Sequence, residues 1–385
     1  MIGRRALAAA ILLLGPALSG PANAQASFVL HDTLDLWRNL EGGLKVGDTQ
    51  LNKLQIAVTL AGDELGQPGW KAHAQYFRTN GERLSGGRSG DIQTASNIEA
   101  LSTDRLMEAW VEKSFGPTGA LRAGLMDLNS DFDSIEPAGL FTGSSHGIAP
   151  DLSHSGLNGP SIFPVSALGV HGTWAPRSNL TLRAAAFDGV PGDPAHPKAF
   201  ATVRLGRRDG ALLITQADWV FAPGAQASLG AWRYTADFDR LDQPGRRQSG
   251  AAGVYGYVEG PAPGLTGWKG WVRLGRADPD VAVVADYLGF GLVHDAPFRS
   301  RPDDQLGFAV ARAGLGAPAR RGTGLPDTET AFELTYRYQV DSRLSLQPDI
   351  QYIVHPASRP GLDNALIAGL RVAVTFRSKA DRPQD

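Results

Sequence analysis

Alternation with a period of two, sustained over runs of about ten residues, constrains this chain more than any other feature. Successive residues of a strand point to opposite faces, so a run that alternates apolar and polar is a strand with one greasy and one wet side. In 329–340, Phe332, Leu334, Tyr336 and Tyr338 share one face, and Glu333, Thr335, Arg337 and Gln339 the other. The next run sets Leu344, Leu346, Pro348, Ile350 and Tyr352 against Ser345, Gln347, Asp349 and Gln351. A final run groups Leu366, Ala368, Leu370, Val372, Val374 and Phe376, with Arg371 and Thr375 behind them. The content of Gly (47) and Pro (25) fits turns between strands and argues against a helical protein.

A soluble sandwich also alternates, but three features favour a membrane barrel. The runs have the length a tilted strand needs to cross a bilayer, whereas globular strands average about five or six residues. Aromatics such as Tyr336, Tyr338, Tyr352 and Phe376 sit at the ends of apolar faces, where a barrel has its interfacial girdle. The chain also closes on an apolar strand ending in Phe376, followed by a polar tail, 377–385.

Candidate strands fall at 32–40, 51–61, 70–79, 104–115, 120–128, 167–175, 179–187, 211–221, 227–237, 251–259, 268–275, 285–294, 305–313, 329–340, 343–353 and 365–376. Their even number, and tight connectors at 116–119, 175–179, 222–224 and 340–342 alternating with long ones at 80–103, 129–166, 188–210, 238–250 and 354–364, match an up-and-down barrel. The segment 200–205 resembles a strand, but admitting it would put every later connector on the wrong side, so it is assigned to an outside loop. The expected fold is all-β, a transmembrane antiparallel barrel of about 16 strands with long extracellular loops, one of them folded into the pore.

The N-terminus reads as an export signal: Arg4 and Arg5, the apolar run Ala6 to Leu14, then Ala22-Asn23-Ala24 as a small-x-small cleavage site. That divides the chain into a signal peptide, 1–24, a barrel domain, 25–376, and the tail, and directs it to a Gram-negative outer membrane through the periplasm. Lys+Arg 37 against Asp+Glu 39 lacks the basic footprint of a nucleic-acid binder, and Cys 0 excludes disulfides, thiolate metal sites and a thiol nucleophile. His31, His73, His146, His171, His196, His294 and His355 show no metal spacing such as the i, i+4 pair of a zinc helix. No metal or other cofactor is expected.

A barrel of this size leaves an aqueous channel unless something narrows it. The segment 129–166 is far longer than an ordinary connector, carries Asp131, Asp133, Glu136 and Asp151 with no Lys or Arg, and holds enough Gly, Pro and apolar residues to fold compactly. It is the expected constriction loop. On the wall, strand parity turns Met107, Ala109 and Val111 outward and Glu108, Trp110 and Glu112 inward; Arg122 and Arg183 likewise point inward, and Arg78 outward. Acidic and basic groups facing each other would set a field across the pore and hydrogen-bond the hydroxyls of a passing sugar, while Trp110 could lie against a sugar ring. The expected pore residues are therefore Glu108, Trp110, Glu112, Arg122, Asp131, Asp133 and Arg183.

Longer motifs sharpen this. Trp37-Arg38-Asn39 with Gly42-Gly43-Leu44, Glu108-Ala109-Trp110, Arg122-Ala123-Gly124, Asp127 to Asp133 and Ala138-Gly139-Leu140-Phe141 occur in order. So do Asn158 to Pro164, Phe187 to Pro194, and Gln347 to Tyr352 running to His355-Pro356. Over nearly all its mature length the chain resembles the carbohydrate-selective porins of the OprB family. The resemblance implies a 16-stranded outer-membrane barrel that passes monosaccharides, glucose-like sugars first, by facilitated diffusion. One departure is His146 in the constriction loop, where the family is more often aromatic. Two rival functions are a general diffusion porin without sugar preference and a barrel-type lipase, for which the adjacent His154 and Ser155 are poor candidates. The expected partners are small sugars, outer-membrane lipid and, as a homotrimer, further copies of the chain.

Overall fold

In the computed structural model, which describes residues 26–378, sixteen antiparallel strands form a closed barrel in which each strand pairs with its sequence neighbours and the last with the first. The strands are β1 (Ala26–Glu41), β2 (Gly47–Ala61), β3 (Trp70–Gly81), β4 (Thr103–Ser114), β5 (Gly119–Met126), β6 (Ala167–Arg177), β7 (Leu180–Asp188) and β8 (Ala211–Ala222). They continue as β9 (Ala225–Asp239), β10 (Arg247–Pro261), β11 (Trp268–Ala277), β12 (Val284–Asp295), β13 (Gln305–Leu315), β14 (Thr328–Gln339), β15 (Leu344–Val354) and β16 (Ala365–Arg377). Closure pairs Leu36 with Leu370 and Val29 with Arg377. The signal-peptide reading and residues 379–385 of the tail lie outside the described residues.

Alternation sorts the side chains as the sequence requires. Leu229, Val272, Leu274, Phe308, Leu334 and Ile350 are exposed on the outer wall, while Glu333, Gln347, Asp349 and Gln351 are buried inside it. Burial of polar residues inside and exposure of apolar ones outside is the inverse of a water-soluble core, and it is what a lipid-facing barrel needs.

Three details depart from the sequence reading. The first strand begins at Ala26 rather than 32, and β9 and β10 extend until only 240–246 remain of the loop expected at 238–250. A register shift between Gln75 and Tyr76 marks a bulge in the β3–β4 pairing. It turns Met107 into the protein, 1% exposed, instead of outward. The segment 200–205, by contrast, lies in a loop as assigned and is not a strand; Phe200 O accepts a hydrogen bond from Leu106 N at 2.8 Å.

What positions the site is the shortness of β5. With only 8 residues, it stops at Met126, level with the start of β6 at Ala167, while β4 runs on to Thr103; the 127–166 segment therefore leaves the wall below the end of β4 and turns into the lumen. There Leu128, Phe132, Leu140, Phe141 and Leu152 pack with Trp232, Tyr234, Tyr255 and Trp271, inward side chains of β9–β11, as the largest apolar cluster of the described residues.

Candidate functional site: a constricted lumen

The inward loop is fastened to the far wall by buried polar groups. Arg273 of β11 donates Nη2 and Nε to Asp133 at 2.8 and 3.1 Å and Nη1 to Asp151, with the rings of Tyr255 and Tyr287 5.3 and 5.2 Å from its guanidinium. Gly275, on the same strand, leaves the space Asp151 occupies: a methyl there would lie 2.1 Å from Asp151 Oδ2. Glu333 of β14 accepts from Thr142 N at 2.6 Å, Thr142 Oγ1 at 3.0 Å and Gly143 N at 3.0 Å. Gln347 donates to Leu140 O and Gln351 to Thr142 Oγ1, at 2.8 and 2.9 Å. A second loop, 82–102, also folds inward: Glu329 accepts from Ile92 N and Gln93 N at 2.9 and 3.1 Å, and Gln351 donates to Ala95 O at 2.9 Å.

These loops fill the β9–β14 side of the barrel. On the opposite side they leave an eyelet of about 520 Å³. Its wall is His31, Thr33, Lys53, Gln55 and Arg371 from β1, β2 and β16; its loop side includes Asn97, Glu99, Asp127, Asn129, His154 and Phe163. Lys53 Nζ lies 4.3 Å over the Phe163 ring. Asp127 accepts Asn129 N at 2.9 Å, and its pKa is pushed up to about 7, first by burial and then by the neighbouring Glu108 carboxylate. Burial also raises the Glu99 carboxyl and lowers the His154 imidazole. The eyelet thus presents amides, hydroxyls and charges of both signs to anything that passes.

Five of the seven residues expected at the pore come together on the β4–β5 wall, toward the short-turn end. Arg122 donates Nε and pairs through Nη2 with Glu112 Oε2 at 2.9 and 2.7 Å, and pairs through Nη1 with Asp131 at 2.7 Å. Glu108 accepts Asp127 N at 3.1 Å and lies 3.6 Å from His73 Nε2. Trp110 is stacked by His73, centroids 4.9 Å apart, and the Arg122 guanidinium lies 4.3 Å from its ring centroid. Gly124 faces it in register with φ +142°, and a methyl there would fall 2.2 Å from Ala109 O.

The arrangement differs from expectation in four ways. Glu112 and Arg122 are cross-strand neighbours and neutralise each other locally, rather than setting a field across the lumen. Stacking of Trp110 on a sugar would require His73 or Arg122 to move. Asp133 is 2% exposed and locked on Arg273, so it holds the loop and does not line the pore. Arg183 pairs with Asp218 farther round the wall. His146 likewise faces away from the pore, packed on Phe141 and Trp271 with Nε2 3.5 Å from Glu333; burial pushes its pKa down to about 3. Arg78 does point outward, 3.9 Å from Asp104. The sequence reading missed Lys53 and Gln55, although 51–61 alternates cleanly. It had no local signal for Asn97 or Asp127, whose placement depends on loop docking.

A closed 16-strand antiparallel barrel with loops folded into a polar lumen is the architecture of a porin. A family model described as "Carbohydrate-selective porin, OprB family" matches residues 46–376, and the chain belongs to that family. It is 26% identical to Porin B of Pseudomonas aeruginosa over 402 aligned positions, covering 88% of this chain and 85% of the relative. A high-pH structure of Pseudomonas putida OprB superposes with a TM-score of 0.79 at 21% identity, covering 91% of this chain and 94% of the other. A mutant porin of Rh. blastica shares the fold more distantly, with a TM-score of 0.53 at 12% identity over 91% of this chain and all of the other. As an OprB-family protein the chain is a channel and not an enzyme, of a family that implies the Gram-negative outer membrane.

Proposed function

We propose that this porin passes monosaccharides, glucose-like sugars first, by passive diffusion through the eyelet and then along the Glu108, Trp110, Glu112, Arg122 and Asp131 wall. The eyelet carries the reading: about 520 Å³ is the scale of a small-ligand site, and its lining offers hydrogen bonds to replace the water a sugar sheds. Arg183 and Asp133 act indirectly, the first on the wall and the second through the loop. The chain is exported through the periplasm by residues 1–24, and its barrel domain, 25–376, is lipid-embedded.

A homotrimer is part of the same proposal. What supports it is the outer face of β1–β4, where parity places Asp32, Gln50, Asn52, Arg78, Asn80 and Asp104 on the side that elsewhere meets lipid. Asn52 Nδ2 donates to Asp32 Oδ1 at 2.8 Å, and a depression of about 880 Å³ lies beside them.

Liposome swelling with refolded protein tests the sugar reading by comparing glucose, a disaccharide and a neutral amino acid of glucose's size. Glucose is expected to enter fastest, and Arg122→Ala to erode that preference several-fold. Equal rates for solutes of equal size would make this a general porin.

A further inference from the structure

Building on the sugar-channel reading, we infer that the eyelet also takes sugar rings bearing one carboxylate, the hexuronates, with Lys53 Nζ as the carboxylate subsite. The other charges around the eyelet already have partners. Arg371 donates Nε and Nη2 to Asp35 at 2.7 and 2.9 Å and Nη2 to Asn97 Oδ1 at 2.8 Å. Glu99 accepts the amides of Leu84 and Ser85 at 3.1 and 2.8 Å. The two ring nitrogens of His31 lie 2.7 and 2.9 Å from the hydroxyls of Thr375 and Thr33.

Lys53 differs. Among the described residues it has no carboxylate within 4.0 Å and makes no side-chain hydrogen bond; its one close partner is the face of Phe163. An aromatic face attracts an ammonium but accepts no conventional hydrogen bond, so the three N–H donors are left for what enters the cavity. An ammonium drawn partly out of water with no carboxylate bonded to it is an incomplete site, and a permeant carboxylate completes it with a charge-assisted bond that a neutral hydroxyl cannot equal. Asp127, on the loop side of the same cavity, lies beyond 4.0 Å of Lys53, so it attracts the ammonium across the opening without bonding to it. It repels a carboxylate from that side, so a hexuronate enters with its acid toward β2. Gln55 and Thr33, beside Lys53, supply neutral hydrogen-bonding groups for the ring hydroxyls.

The test is competition for labelled glucose influx into proteoliposomes, using unlabelled glucose or glucuronate at constant ionic strength. The two differ only in the oxidation state of one ring substituent. Glucuronate is expected to halve influx at roughly a tenfold lower concentration than glucose, the ratio that about 1.4 kcal/mol of extra interaction gives. Lys53→Met should collapse that ratio to near one, and Lys53→Arg should retain most of it, in channels whose potassium chloride conductance shows them open. Equal competition in the wild type, or an unchanged ratio in Lys53→Met, overturns the carboxylate subsite while leaving the sugar channel standing. Absence of glucose influx in the wild type overturns both.

Discussion

Asp127 makes the eyelet sensitive to pH near neutrality. Desolvation is the largest influence on it and Glu108 the next, with the Asn129 and Phe163 amides and Lys53 opposing them; the balance leaves its pKa at about 7. Below that value the carboxyl is neutral and Lys53 dominates the opening, while above it a negative charge appears opposite. The reversal potential in a potassium chloride gradient should therefore move toward cation preference between pH 6 and 8, and Asp127→Asn should flatten the curve at its low-pH end; an unaltered slope would remove Asp127 from the conduction path. Stability follows the opposite sense. Because the folded pKa lies above the ordinary 3.8, the native chain keeps a proton that the unfolded chain has lost, and unfolding free energy falls as pH rises from about 4 to about 7. None of this was visible beforehand: Asp127 belongs to a recognisable motif, but its burial depends on where the chain turns after Met126.

At the level of elements, strands were legible and loop docking was not, for one physical reason. A strand announces its two faces through a fixed period, so Glu333 and Arg122 could be assigned inward from their neighbours alone. The β4 bulge breaks that period, and Met107 was misplaced as a result. A loop has no period, and the same carboxylate type served two ends there: Asp131 reached the wall at Arg122, while Asp133 was consumed in fastening the loop to Arg273. That fastening is open to test. Arg273→Met leaves Asp133 and Asp151 buried without their counter-ion, a loss of about 3–5 kcal/mol concentrated in the contact between loop and wall. Single-channel conductance should rise, and a disaccharide excluded by the wild type should enter. Gly275→Ala should act in the same direction without changing any charge, because its methyl occupies the place of Asp151. Normal conductance and size cut-off in both variants would mean that the remaining contacts, those of Glu333 and Gln347 among them, hold the loop unaided.

On the scale of the whole molecule, the outer wall has to satisfy a solvent that forms no hydrogen bonds, and most of it does. A mid-strand exception lies in β1–β4. Asp32 is the seventh of the 16 residues of β1, well inside the strand, with Leu30 and Leu34 on either side of it on the same face. A carboxylate facing hydrocarbon costs on the order of 2 kcal/mol, less than a lysine or arginine at the bilayer midplane but unrelieved unless something polar covers it. Asn52 supplies one hydrogen bond; further copies of the chain, packed through the same region, would supply more, and a heterologous contact whose rotation closes would make a ring of them. The two possible surroundings predict opposite signs for one double variant, Asp32→Leu with Asn52→Leu. If copies cover this face, native mass spectrometry of the detergent-solubilised protein should show trimers in the wild type and monomers in the variant, with a lower melting temperature. If the face meets lipid, both proteins are monomers and the variant melts higher, because a buried liability has been replaced by a side chain that lipid accepts. The sign of the shift therefore reports what touches Asp32 in the membrane, even where the mass of the complex is obscured by detergent.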